Sequence, residues 1–428
     1  MLHTFVSLFR NKETRKRILF TLAMLLVYRV GSAIPVPGVD SELLAAGISD
    51  NSLLSIMNML GGGALEKLSV FAMGVTPYIT ASIIIQLLSM DVIPALTEMA
   101  KSGQTGRMQM DRITRYLALV LGFVQAYSLV YGFDVQYNIL ENSSVSGYLY
   151  TATILMAGTM FLIWIGDRLS MKGIGNGLSM IIFAGIVSDM PSTFSQVYSI
   201  LVGGSSQSEM FNGILKFVLY CLVYLAIVVF VVIMETAVRK IPIQYTNSSN
   251  IRGGSNVTYL PLKINSASVI PVIFAQSVMM APQIVISFFN QELYTKLSNF
   301  LSLTGWKGLT IYAVLIILFT FFYTDLQVDP DKMAENLGKS GAYIPGIRPG
   351  SETVRYLHKV LNRITVLGAL GLTALAITPY LLTKFTSLTQ QTAVGGTGII
   401  IVVGVAMETI AQLKGQLTQK QYHSFVGK

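Results

Sequence analysis

Ten apolar stretches recur along the chain, near 18–34, 70–90, 113–133, 149–166, 177–197, 214–234, 267–289, 309–327, 361–383 and 396–413. Each is long enough to cross a bilayer as a helix. What lies between them constrains the fold more than the stretches themselves. Of the 30 lysines and arginines, 24 fall in the amino-terminal segment, in every second connection and in the tail, whereas four, Lys67, Lys296, Lys307 and Lys384, fall in the opposite connections. Basic residues accumulate on the cytoplasmic side of membrane proteins, so this alternation predicts ten spans with both termini cytoplasmic. One missed or invented span would spoil the alternation beyond it. The fifth span is the weakest, with an apolar core that ends at Ser188-Asp189-Met190-Pro191.

Composition agrees: 52% of residues are hydrophobic, only 12% are charged and the mean hydropathy is +0.60, where soluble domains carry roughly a quarter charged residues. The first apolar run lacks a small-residue cleavage site and leads into Pro35-Val36-Pro37, so it reads as a span and not as a signal peptide. The net charge of +9 is largely accounted for by the loops that orient the spans, which weakens a nucleic-acid reading, although the basic loops could contact a ribosome. A single cysteine, Cys221, leaves no intrachain disulfide to form.

The spans divide into two halves of five, 18–200 and 201–413, between a cytoplasmic segment 1–17 and a cytoplasmic tail 414–428. An odd number of spans per half inserts the halves with opposite orientation. The second span of each half is interrupted by proline amid polar residues, Thr76-Pro77 in one, Pro271 and Gln276-Ser277 in the other. Such matched interruptions point to the functional centre. Two cytoplasmic connections, 235–266 and 328–360, exceed what a simple link needs. Their Pro- and Gly-containing apolar motifs, Ile241-Pro242-Ile243, Tyr259-Leu260-Pro261-Leu262 and Tyr343-Ile344-Pro345-Gly346-Ile347-Arg348, suggest ordered turns that a partner could grip.

Residues 53–67 do not fit a plain span. The apolar run Leu53–Leu60 would rise only about 12 Å as helix against a hydrocarbon core of about 30 Å. It is followed by Gly61-Gly62-Gly63 and the charges Glu66 and Lys67. This is either a re-entrant segment facing a wet cavity, with glycine supplying the reversal, or an amphipathic helix on the outer surface followed by a loop.

No catalytic or metal-binding constellation is present. His3, His358 and His423 lie outside the spans, and neither HExxH nor GxSxG occurs. Arg29 is the one charge inside a span, near an outer edge where a long side chain can snorkel. Asp325, Glu235 and Glu408 fall near cytoplasmic ends, so a proton- or ion-coupled transporter is disfavoured and any pathway is apolar or neutral. Isoleucines then draw attention: Ile79 and Ile83 share one helical face, Ile182 and Ile186 repeat the spacing, and Ile273 and Ile399-Ile400-Ile401 lie in spans seven and ten. Stiff β-branched side chains could form a constriction that closes by excluding water, or they could simply pack helices and face lipid.

The ordered set Ile34-Pro35-Val36-Pro37-Gly38, Gly74-Val75-Thr76-Pro77-Tyr78-Ile79, Gly173-Ile174-Gly175-Asn176-Gly177, the two loop motifs and Gly395-Gly396-Thr397 resembles the SecY family of protein-conducting channels along essentially the whole chain. The resemblance implies an all-α fold of ten transmembrane helices in two inverted five-helix halves with a re-entrant plug. The plug would hold Leu53, Leu54, Ile56, Met57, Met59, Leu60, Gly61, Gly62 and Gly63. Ile79, Ile83, Ile182, Ile186, Ile273 and Ile401 would form a pore ring. Spans two and three against seven and eight would form a lateral gate, with Thr80 and Gln125 at the seam. It further implies SecE and SecG subunits, the SecA motor ATPase and the translating ribosome as partners, docking through Arg239, Lys240 and Arg348. Signal sequences and unfolded polypeptides would be the substrates, released to lipid or across a bacterial plasma membrane, with no cofactor and no enzymatic activity. One departure is that 244–258 holds a single basic residue, Arg252, fewer than the family implies, which keeps open an accessory paralogue. An inverted-repeat secondary transporter of a small solute is the alternative, and a membrane scaffold a distant third.

Overall fold

The computed structural model describes residues 12–40, 58, 61–90, 92–203, 210–245, 258–287, 291–303, 305–385, 398–413 and 415. Ten apolar helices stand where the ten spans are expected. In the first half these are α1 (Lys12–Ser32), α2 (Thr76–Leu88), α4 (Gln104–Tyr137), α5 (Val145–Lys172) and α6 (Gly177–Tyr198). In the second half they are α7 (Met210–Thr236), α8 (Ile270–Ser287), α10 (Trp306–Gln327), α12 (Ser351–Phe385) and α13 (Gly398–Leu413). Three short helices, α3 (Pro94–Lys101), α9 (Gln291–Leu301) and α11 (Pro330–Lys339), lie in the connections. Among the described residues, six helices are long and apolar enough to cross a membrane by themselves. The shorter apolar helices, α2, the first turns of α8, and α13, contribute Ile83, Ile273 and Ile401 to the main apolar core.

One span differs from the sequence reading. The second is helical only from Thr76, so its 13 residues rise about 20 Å and the predicted start at 70 is too early. Residues 61–75 form consecutive turns instead, because Gly74 takes φ +55° and Pro77 sets the first helical turn. Their backbone is satisfied by local bonds, Leu68 N–H to Leu65 O and Ser69 N–H to Ala64 O, and by Val70 N–H to Ile34 O at 3.0 Å. Irregular backbone at membrane depth needs such partners. The fifth span, expected at 177–197, runs as α6 from Gly177 to Tyr198, past Pro191, and on through a π turn, Ser199–Gly203. Just after the proline, the Ser192 and Thr193 hydroxyls bond the Asp189 carbonyl.

The two long connections, 235–266 and 328–360, fold as well, partly as strands. β1 (Val238–Tyr245) pairs antiparallel with β2 (Thr258–Lys263), in a register from Val238 opposite Lys263 to Ile243 opposite Thr258, and β3 (Ala342–Tyr343) adds to the far edge of β1 at Gln244 and Tyr245. Among the described residues, this small sheet holds all the named strands of an otherwise helical chain. Ile241 and Ile243 point to one face, where Leu262, Ala334 of α11, Ile344 and Leu357 of α12 complete a separate apolar core. α12 is long enough, roughly 52 Å, to join that core to the membrane core, through Leu357 and Leu361 at one end and Leu375 and Tyr380 at the other.

Candidate functional site: a sealed apolar centre between two halves

The two interrupted spans meet. α8 packs against both α2 and α4, and α10 packs against α8, so spans two and three face seven and eight across one seam. All six candidate isoleucines belong to one continuous apolar cluster. Ile83, Ile182, Ile186, Ile273 and Ile401 are buried, and Ile79 is half-buried against them. Ile399 and Ile400 are as deeply buried as Ile401, so burial does not single out Ile401 among its neighbours.

Against this cluster lies the glycine turn. Gly62 and Gly63 adopt φ +68° and +78°, a left-handed backbone that other residues enter only with strain. A Cβ added to Gly62 would lie 2.8 Å from the Gly185 Cα, so two backbones touch with nothing between them. Gly185 sits between Ile182 and Ile186 on α6. The turn is thus seated directly on the helix that supplies two of the six isoleucines. Ala64, Leu65 and Leu68 beyond it are fully buried, whereas Lys67 reaches solvent.

Polar contacts around the turn were not legible in the sequence. The Tyr28 hydroxyl donates to the Gly61 carbonyl at 2.9 Å, and Arg29 Nη1 donates to the Gly62 carbonyl at 2.8 Å. Arg29 therefore has a partner beyond the snorkelling expected of it. Asn58 bridges the two sides of the turn: its carbonyl accepts from Gly63 N–H at 2.9 Å, its side-chain oxygen accepts from Glu66 N–H at 2.9 Å, and its amide donates to the Glu66 carboxylate. Leu53, Leu54, Ile56, Met57, Met59 and Leu60, expected in a plug, lie outside the described residues, as do the loop segment 246–257 and the Gly395-Gly396-Thr397 motif.

At the seam, the Thr80 hydroxyl bonds the Thr76 carbonyl of its own helix at 3.1 Å, the ordinary use of threonine in a membrane helix. Gln125 is half-buried on α4. A bond that ties α8 sideways lies elsewhere: Gln276 of α8 donates to the Tyr312 hydroxyl of α10 at 3.1 Å, with both residues buried. The start of α8 is held by Glu235 at the end of α7, whose carboxylate accepts from Asn265 Nδ2 at 2.9 Å and Ser268 Oγ at 3.1 Å. Arg239 and Lys240 lie exposed on β1, and Arg348 is exposed at the tip of the second loop. There Arg348, Arg355 and Lys359 line an open cleft with Glu352 and Tyr356.

A family model described as SecY matches residues 69–410. The chain belongs to the SecY family. It is 46% identical over 431 residues to the protein translocase subunit SecY of Bacillus subtilis and 45% identical over 433 residues to that of Staphylococcus epidermidis, each match covering 100% of both chains. The fold agrees with solved channels: "The structure of a protein conducting channel" superposes with a TM-score of 0.62 at 17% identity, covering 93% of this chain and 91% of that one. Sec61 in the canine ribosome-channel complex from the endoplasmic reticulum gives 0.64 at 18% identity over the same shares. Family membership makes this a multi-pass membrane protein and a translocase channel subunit, not an enzyme.

Proposed function

We propose that the isoleucine cluster is the pore through which polypeptides cross, with 53–67 as its plug. One observation carries the reading: the glycine turn seats on Gly185, between Ile182 and Ile186, so the segment that breaks span two covers the helix face on which two ring positions lie. An apolar ring grips any side chain weakly and keeps water out when empty. The halves 18–200 and 201–413 then part along the α2–α4 and α8–α10 seam to release membrane segments into lipid. Thr80 and Gln125 lie on the first-half side of that seam.

By analogy with relatives named protein translocase subunit SecY in bacteria, the chain resides in a bacterial plasma membrane with both termini cytoplasmic. The basic-loop alternation supports that orientation. Force comes from partners, a SecA-type motor or a translating ribosome, with SecE- and SecG-type subunits alongside. The ribosome is supported by the canine ribosome-channel complex, and docking through Arg239, Lys240 and Arg348 by their exposure on an ordered cytoplasmic unit. Replacing Ile83 and Ile182 together with glycine tests the pore: idle ion conductance of the reconstituted channel rises if they line it, and unchanged conductance removes them from the ring.

A further inference from the structure

We infer that Tyr28 and Arg29 form a two-point clamp that holds the glycine turn closed, an inference that rests on reading 53–67 as the seal. Adjacent residues on a helix point about 100° apart, yet these two donate to the adjacent carbonyls of Gly61 and Gly62. The left-handed backbone at Gly62 and Gly63 turns the chain too sharply for helix bonding, and a carbonyl left unpaired at membrane depth is costly. α1 satisfies both carbonyls from one side. On the other side Gly185 of α6 touches the turn, which is thereby pinched between two helices.

The donors are themselves fixed. Tyr28 is 1% exposed and its ring stacks on Phe71, with centroids 6.2 Å apart and planes at 8°. Beside the turn, a carboxylate oxygen of Asp189, one helical turn beyond Gly185, lies 3.7 Å from the position a Cβ on Gly63 would take. Snorkelling alone would leave the Arg29 guanidinium in solvent without aiming it at a particular carbonyl. Tyr28 and Arg29 are therefore positioning residues for the seal: both bonds must break before 61–63 can leave the centre, and their strength sets how readily an idle channel opens.

The test is amide hydrogen exchange on the full-length chain in lipid, comparing the parent with Tyr28→Phe combined with Arg29→Gln. Peptides covering 61–74 are expected to exchange about tenfold faster in the double variant, the scale of one lost charge-assisted hydrogen bond. Arg29→Lys, which retains one donor, should recover part of the protection. Peptides of β1 and α11 should exchange as in the parent, which establishes that the variant is folded. Unchanged exchange at 61–74 with those controls intact would overturn the clamp, as would equal acceleration in all regions. Exchange does not depend on what crosses the channel, so the two readings separate. Faster exchange at 61–74 with no rise in conductance for the Ile83 and Ile182 glycine variant would keep the clamp and sink the pore ring.

Discussion

The glycine turn at 61–63 and the loop unit built on β1, β2, β3 and α11 are both insertions between spans, and they are held in opposite ways. The turn at 61–63 has no core of its own; left-handed glycines, two side-chain donors from α1 and one backbone contact with α6 hold it. The loop unit closes over eight buried apolar residues, Leu357 among them, and a three-stranded sheet. Polar contacts can be exchanged one for another as a chain enters, whereas a packed core opens only as a unit. The difference suits the roles proposed above, a plug that leaves and a docking surface that stays rigid.

The largest expected effect is on the rigid side. Leu357→Ala removes a fully buried side chain that links the sheet to α12 and should cost about 2–5 kcal/mol. Exchange protection of β1 and β2 should fall together, and independent loss in one strand would show that the unit lacks a shared core. Next comes the turn: Gly62→Ala forces a left-handed alanine, costing about 1–2 kcal/mol, and sets its Cβ against Gly185. It should raise idle conductance while leaving β1 and β2 untouched. Asn58→Ala, which loses the bond from Glu66 N–H, should act in the same direction by roughly 1 kcal/mol. Smallest in stability is Arg348→Glu, an exposed change expected within about 0.5 kcal/mol of neutral. Motor-driven transport should nevertheless drop sharply, and full transport would remove Arg348 from the docking surface.

The same contrast explains what could be read from the sequence. The ten spans were legible because hydropathy and the placement of Lys and Arg record membrane depth and side directly. The pairing of spans two and seven followed from their matched prolines. The sheet was not anticipated: its signal is only Ile241 and Ile243 on one strand and Leu260 and Leu262 on the other, two short alternations broken by Pro242 and Pro261. Pro242 is tolerated there because β3 joins β1 only at Gln244 and Tyr245. α6 was legible too: expected at 177–197, it runs Gly177–Tyr198 although its apolar core ends near Pro191. Tyr28, Gln276 and Glu235 were missed as contact residues because their partners lie 33, 36 and 30 or more positions away. No local pattern encodes such a bond.

The most direct test of the central claim puts a photoreactive residue at Ile83 in the reconstituted channel, with a secretory precursor stalled halfway across by its motor. Crosslinks to the precursor that require both precursor and ATP are the predicted result. Continued export with no crosslink at Ile83 would contradict it and move the pathway away from the isoleucine cluster.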